Sequence, residues 1–208
     1  MLEVSEEQVL YFRARRGLVC GDGEQTPVTA ASAIVGAQSQ QPGPGLMALS
    51  QRCKARPSKL ELEPMLLSDK RCLVRTWGQR ETLHIYDPND WHLIAAARAE
   101  WAPGGRRGPM PSESLLKKGL RIIEQSAEAT RSDVEHLAPT SYLDQLQAFQ
   151  PKYIGTRDVA RRFAAGRILW CLSMRGDVCV AGKSGKEQAY AARSAWFGDL
   201  PWPAIEAR

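Results

Sequence analysis

Residues 73–86, with the sequence LVRTWGQRETLHIY, decide the predicted fold of this chain. Two runs rich in β-branched and aromatic residues, 73–77 and 82–86, flank the polar segment 78–81. Runs of this composition on either side of a short polar segment predict the two strands of a β-hairpin. Helical patterns precede the hairpin, and helices followed by a hairpin are the element order of a winged helix.

The residues before the hairpin carry the signals of several helices. Segment 5–8 (SEEQ) is a capping box that predicts a first helix, which Gly17 ends. Thr29 is predicted to cap a second helix that continues to Ala37. The prolines and glycines of segment 41–45 predict a break in the chain. After this break, further helices are predicted over residues 46–53 and 58–69.

The second half of the chain repeats the order of helices followed by a hairpin. Helices are predicted over residues 112–128, about 140–149, a short stretch capped by Thr156, and about 167–175. Two strands are then predicted over 178–181 and 188–192, with the basic turn 182–185 between them. The alternative interpretation is an unrelated domain made of helices and a hairpin.

These patterns predict a mainly α chain with small β-hairpins, of the α+β class, built from tandem winged-helix domains. The first domain is predicted over residues 1–101 and the second over 112–208. The prolines and glycines of 102–111 predict a flexible basic linker between them. With 208 residues, the chain is long enough for two such domains.

The charge of the chain is mildly basic and unevenly distributed. Its 28 Lys and Arg against 23 Asp and Glu give a net charge of +5. Basic side chains concentrate in residues 50–80 and 152–175, whereas 122–151 are acidic. Such blocks favour a face that binds a polyanion, with a solvated basic surface as the alternative. The residues predicted to contact DNA phosphates are Arg75, Arg80, Arg161, Arg162, Lys183 and Lys186.

The sequence lacks the signals of several other classes of protein. Gly182-Lys183-Ser184 lacks the upstream glycine of a phosphate-binding loop, so no nucleotide cofactor is expected. The isolated histidines and scattered cysteines match no metal-site spacing, which predicts neither metal nor cofactor. No long apolar run suits a membrane span. An acidic N-terminus without a signal peptide, together with unpaired cysteines, predicts a cytoplasmic protein.

Gln38, Ser39 and Gln40 form the most suggestive polar cluster in the sequence. They follow an apolar helical pattern and precede the predicted break. Two amides separated by one residue at the end of a helix can point into one cavity. Taken alone, the same pattern is also common in surface loops.

The Gln-x-Gln cluster and the later run Arg75-Thr76-Trp77-Gly78-Gln79-Arg80-Glu81-Thr82-Leu83-His84 together resemble the AlkZ-type winged-helix DNA glycosylases. That bacterial family has both motifs in this order. The resemblance implies a tandem winged-helix enzyme that acts on double-stranded DNA and hydrolyses the N-glycosidic bond of alkylated purines. Some members unhook interstrand crosslinks. It also implies that Gln38 and Gln40 are catalytic.

The sequence departs from the family pattern at two points. Ser39 stands where the family usually has an aliphatic residue. Family members continue into a third winged helix and a C-terminal β-barrel, whereas this sequence ends at Arg208. The alternative function is therefore a non-catalytic winged-helix DNA-binding protein or an inactive truncated form.

Overall fold

A computed structural model describes residues 4–21, 23–24, 26–68, 70–99 and 108–203. Most of these residues are helical, and small antiparallel sheets complete the predicted α+β fold. The contacts divide the chain into two compact units. The first comprises 1–75 with 79–91, and the second comprises 76–78 with 92–208. No helix in the described part of the chain is long and apolar enough to cross a membrane.

The first unit contains four helices and three strands, and Thr76 and Trp77, the end of the second strand, belong to the second unit. Ser5 and Gln8 form the predicted capping box of the first helix. Thr26, not Thr29, caps the second helix, because Pro27 fixes the backbone at its first position and Thr29 completes that capping box. The elements are α1 (Glu6–Arg16), α2 (Pro27–Ala33), β1 (Ala37–Gln38), α3 (Pro42–Ser50), α4 (Lys59–Leu67), β2 (Val74–Trp77) and β3 (Leu83–Tyr86).

The expected break at 41–45 is wrong, because these residues form the first turn of α3. Gln41 is its N-cap and Pro42 occupies the first helical position. Proline suits that position, because its missing N–H would have no partner in the first turn. The helix therefore begins directly after the Gln-x-Gln cluster, and its residues Leu46 and Leu49 are fully buried.

The strands of the first unit form an antiparallel sheet in the order β1-β3-β2, which confirms the predicted hairpin 73–86. Ala37 pairs with Ile85, and Gln38 pairs with His84. One face of this sheet contributes Ala37 and Ile85 to a core. The other buried members of that core are Ala30, Ala31, Leu46, Leu49, Cys53, Leu62, Leu66 and Leu73.

The second unit is built around one long helix. A short helix after Thr156 and another over 167–175 were predicted, but α9 is continuous. Gly166 costs about 1 kcal/mol inside a helix, and the buried side chains around it offset this cost. The elements are α5 (Pro88–Ala99), which begins in the first unit, α6 (Glu113–Gln125), α7 (Arg131–Val134), α8 (Thr140–Phe149), α9 (Arg157–Met174), β4 (Val178–Ser184), β5 (Glu187–Ala192) and α10 (Arg193–Phe197).

The predicted second hairpin is present, but its strands are longer than expected. β4 and β5 pair antiparallel as far as Ser184 and Glu187. The tip is therefore Gly185-Lys186 and not the predicted turn 182–185. A further antiparallel bridge joins Ala129 to Tyr190. Most of the predicted linker 102–111 lies outside the described residues, so the domain boundaries stay predictions.

We expect Gly36→Ala to destabilise the first unit by about 2–4 kcal/mol. Gly36 has a φ of +92°, and an added Cβ would lie 2.3 Å from the ring of Tyr86. Urea denaturation followed by circular dichroism measures the change.

Gly166→Ala in α9 is the matched control, because its Cβ would meet no other atom. We expect this control to stabilise the protein by up to about 1 kcal/mol. Equal effects of the two substitutions would contradict the role assigned to Gly36.

Candidate active site

The Gln-x-Gln cluster lies on an extended segment, which corrects the expectation of a helix end. Ala37 and Ser39 are buried, whereas Gln38 and Gln40 are exposed. Side chains alternate between the two faces of an extended chain. Both glutamines therefore lie on the same face of the segment, opposite the apolar core.

A tight turn directs the chain from α2 into this extended segment. Val35 and Gly36 both have positive φ angles, 55° and 92°. The Nε2 of Gln79 donates a hydrogen bond to the Val35 carbonyl at 2.6 Å. The backbone N–H of Gln79 donates to the hydroxyl of Tyr86 at 3.2 Å. A side chain of the later motif thus holds the turn that precedes Gln38.

Gln40 uses one end of its amide to continue the pairing with β3. The Leu83 N–H donates to Gln40 Oε1 at 2.7 Å, and the Ser39 N–H donates to the Leu83 carbonyl at 2.7 Å. A backbone N–H is only a donor, so the amide oxygen of Gln40 must face Leu83. Its amide nitrogen is left as the end that can bind another group. No described residue forms a hydrogen bond with the side chain of Gln38.

Arg75 is buried, which contradicts its expected exposure as a phosphate contact. Only 4% of its surface is accessible. Its Nε donates to the Ser39 carbonyl and its Nη2 to the Gln40 carbonyl, both at 3.0 Å. The guanidinium therefore binds the backbone of the Gln-x-Gln cluster from the inside.

Gln38 lies on the wall of a cleft of about 610 Å³ in the first unit. Three arginines and an exposed aromatic side chain line the same cleft: Arg13, Arg16, Arg52 and Phe12. The described lining includes no carboxylate. Sequence reasoning missed these residues, although the spacing of Phe12, Arg13 and Arg16 on α1 places them on one side of that helix.

The remaining predicted DNA contacts lie at the surface. Arg80 is exposed in the first unit and has a φ of 51°. In the second unit, Arg161 and Arg162 are exposed on α9, and Arg161 forms an ion pair of 2.9 Å with Asp158. Lys183 and Lys186 are exposed near the tip of the hairpin of β4 and β5.

The second unit has a cleft of about 310 Å³ beside this hairpin. Lys186, Arg131, Trp77 and Tyr190 are among its lining residues. Glu187 forms an ion pair of 2.6 Å with Arg131 and so neutralises much of its charge. Lys186 also lines this cleft, and it is a lysine for which the sequence predicts a phosphate contact.

Among the described residues, no group of three or more His, Cys, Asp or Glu side chains could hold a metal ion.

Residues 31–208 match the model of a family described as DNA glycosylase AlkZ-like. The chain belongs to the AlkZ-like family. Among solved structures, it is similar to Streptomyces sahachiroi DNA glycosylase AlkZ, with 18% sequence identity and a TM-score of 0.67. The similarity covers 99% of this chain and 53% of the AlkZ chain, so this chain spans about half the length of AlkZ. No curated protein matches the chain.

His84 is the last residue of the second motif of this AlkZ-like chain and the strand partner of Gln38. It is 2% exposed, and its ring stacks on Tyr86 with centroids 5.6 Å apart. Its Nδ1 donates to the Thr82 carbonyl at 3.1 Å. Burial lowers the pKa of His84, the Thr82 carbonyl opposes this, and the charge of Arg80 lowers the pKa further.

We expect His84 to make the stability of the AlkZ-like fold fall at acid pH. Because its pKa is lowered in the folded state, the unfolded chain binds the proton more readily. The stabilising contribution is present above the unfolded pKa of about 6.5 and is lost as the pH falls below it. Urea denaturation at about pH 7.5 and 5.5 measures this loss.

His84→Gln should make the stability depend less on pH over this interval. The exposed His136 offers the matched control variant, His136→Gln. The same pH dependence in the wild type and in His84→Gln would rule out this role of His84.

Proposed function

We propose that this chain is a monofunctional DNA glycosylase that hydrolyses the N-glycosidic bond of alkylated purines in double-stranded DNA. The observation that carries the proposal is the position of Gln38 on the wall of a cleft lined by arginines and without a described carboxylate. Membership of the AlkZ-like family supports it. The order of helices and hairpin in each unit supports the interpretation as two winged helices.

The proposed substrate explains why amides suffice. A purine alkylated at N7 or N3 is cationic, so it leaves without protonation by a general acid. The bond from C1′ to the purine breaks, its electron pair neutralises the base, and the sugar becomes oxocarbenium-like. Water then adds to C1′ and releases a proton to solvent. A pair of carboxylates, as glycoside hydrolases use, is not required.

The two glutamines can contribute different groups to this reaction. The Oε1 of Gln38 can accept a hydrogen bond from the attacking water and direct its lone pair at C1′. The Oε1 of Gln40 is engaged by the Leu83 N–H, so Gln40 offers its Nε2 as a donor. That donor can hold the oxygen of the same water. Both amides lie on one face of the extended segment, which suits contact with one water.

The arginines of the cleft suit the DNA backbone. Arg13, Arg16 and Arg52 line the same cleft as Gln38. Arginine binds phosphate oxygens through its planar set of donors. We therefore assign phosphate contacts to these residues, and a stacking or wedging contact to the exposed Phe12. In the second unit, Arg161, Arg162, Lys183 and Lys186 keep this proposed role, as Arg80 does in the first unit.

A second candidate function is DNA binding without catalysis. The observation that favours it is the set of arginines that lines the cleft, because these side chains would bind phosphates with or without a reaction. The same cleft and hairpin would then bind DNA, and the glutamines would have no reacting partner. Base release by the wild-type chain separates the two functions.

We expect Gln38→Ala and Gln40→Ala each to slow base release by about 10²-fold, because each removes one positioned polar group. The double variant should lose less than the product of both effects, since both groups serve one water. The measurement is single-turnover release of N7-methylguanine from duplex DNA, with the DNA dissociation constant measured alongside.

Glutamate variants distinguish the two amides. Gln38→Glu keeps an acceptor for water and should retain much of the rate. Gln40→Glu keeps the acceptor for Leu83 but loses the Nε2 donor, so it should be as slow as Gln40→Ala. Gln41→Ala is the matched control, because Gln41 forms no side-chain cap bond and is exposed. Wild-type rates in both alanine variants would remove the glutamines from the mechanism.

We expect DNA affinity to fall steeply with salt, with a log–log slope of about −0.9 per phosphate contact. Lys183→Gln combined with Lys186→Gln should reduce the slope by about 1.8. Fluorescence anisotropy at several salt concentrations measures it. Lys117→Gln with Lys118→Gln neutralises two exposed lysines of α6 as a control. An equal change in both double variants would contradict a specific role of the hairpin.

A further inference from the structure

We infer that Arg75 is a positioning residue for the glutamine pair, an inference that rests on the function proposed above. It acts on the reaction through Gln38 and Gln40 and does not bind DNA. Its guanidinium lies on the buried side of the extended segment, whereas the glutamine side chains lie on the exposed side.

The contacts of Arg75 are specific to the segment that carries the glutamines. Its Nε and Nη2 bind two consecutive carbonyls, those of Ser39 and Gln40, at 3.0 Å each. These carbonyls belong to the peptide groups on either side of the Gln40 Cα, so two donors in one rigid plane fix the orientation of both peptides that flank Gln40. A single donor would hold only one of them.

These two peptides control where the Gln40 amide points. Gln40 lies between them, and its Oε1 must reach the Leu83 N–H at 2.7 Å. Ser39 links it to Gln38, and the Ser39 N–H also binds the Leu83 carbonyl at 2.7 Å. A rotation of the Ser39–Gln40 peptide would therefore break the Gln40–Leu83 bond and turn the Gln40 amide.

The residues packed behind the Gln-x-Gln segment leave little space for its backbone to take another position. Gly45 of α3 lies so close that an added Cβ would be 2.6 Å from the Cβ of Ser39. Ser39 is 1% exposed, and its hydroxyl donates to the Gln41 carbonyl at 3.3 Å. Arg75 on one side and α3 on the other thus confine the backbone between the two glutamines.

Arg75→Met and Arg75→Lys test the inference. Methionine fills similar space and removes both donors, whereas lysine keeps a charge that can bind one carbonyl. We expect Arg75→Met to slow single-turnover release of N7-methylguanine by about 10²-fold, as misplacement of a reacting group does. Arg75→Lys should have an intermediate rate. The DNA dissociation constant should change less than twofold, because Arg75 does not face DNA.

Arg71→Met is the matched control. Arg71 also donates to a backbone carbonyl of the first unit at 3.0 Å, but this carbonyl is that of Ser68, three residues before it, and not one of the glutamine segment. We expect it to keep the wild-type rate of base release. Equal slowing in Arg71→Met and Arg75→Met would overturn the inference, because the effect would then follow from general destabilisation.

Hydrogen exchange of the Leu83 amide, followed by NMR, tests the same inference without using activity. Arg75→Met should increase the exchange rate of this amide, as Gln40→Ala should, while amides of α4 keep wild-type protection. Unchanged exchange at Leu83 in Arg75→Met would overturn the inference. A wild-type chain that releases no base would instead contradict the proposed function, and the exchange result would still decide the position of Gln40. If Arg75→Met does not fold, Arg75→Lys provides both measurements.

Discussion

The first unit depends on the burial of one guanidinium against two backbone carbonyls. A buried charge is costly unless it is hydrogen-bonded, and buried carbonyls are equally costly without donors. Arg75 donates hydrogen bonds to the carbonyls of Ser39 and Gln40, which lowers the cost of burying both the charge and the carbonyls. The contact joins positions that are 35 residues apart along the chain. It gives a physical reason for the Gln-x-Gln cluster and the later motif to occur together, because the second supplies the support of the first.

The support extends beyond one residue. Gln79 of the later motif holds the Val35 carbonyl, and the Leu83 N–H fixes the amide of Gln40. His84, at the end of the motif, pairs with Gln38 across the sheet. The later motif thus contacts the chain just before the glutamine segment and at several points within it. In the proposed reaction, the leaving base is already cationic, so a strong acid or base is not needed. A weakly basic amide can then contribute by holding water in a fixed position.

The sequence allowed the hairpins and most helices to be predicted, since these features have strong local signals. The catalytic role of the two glutamines stays a prediction that rests on the family resemblance. The extended conformation at Gln38 could not be predicted, because a two-residue strand is too short to show an alternating pattern. Its partners Ile85 and His84 are also far away along the chain. The burial of Arg75 could not be predicted either. Its partners are backbone carbonyls, which every residue has, so no residue type in the sequence indicates them. The continuity of α9 through Gly166 reflects tertiary packing that overrides local propensity.

The cleft beside Gln38 is lined partly by residues inside the family match and partly by residues that precede it. The family match begins at residue 31, so it includes the glutamines and Arg52 but not α1. Arg13 and Arg16 of α1 nevertheless line the cleft. In the proposed function, Gln38 acts on the glycosidic bond and Arg13 and Arg16 bind the DNA backbone, so these two roles are assigned to separate elements. The hydrogen bonds of Arg75 described above join it to Ser39 and Gln40 and use no atom of α1, so we expect substitutions on α1 to change the affinity for DNA while Arg75 still holds the glutamine segment.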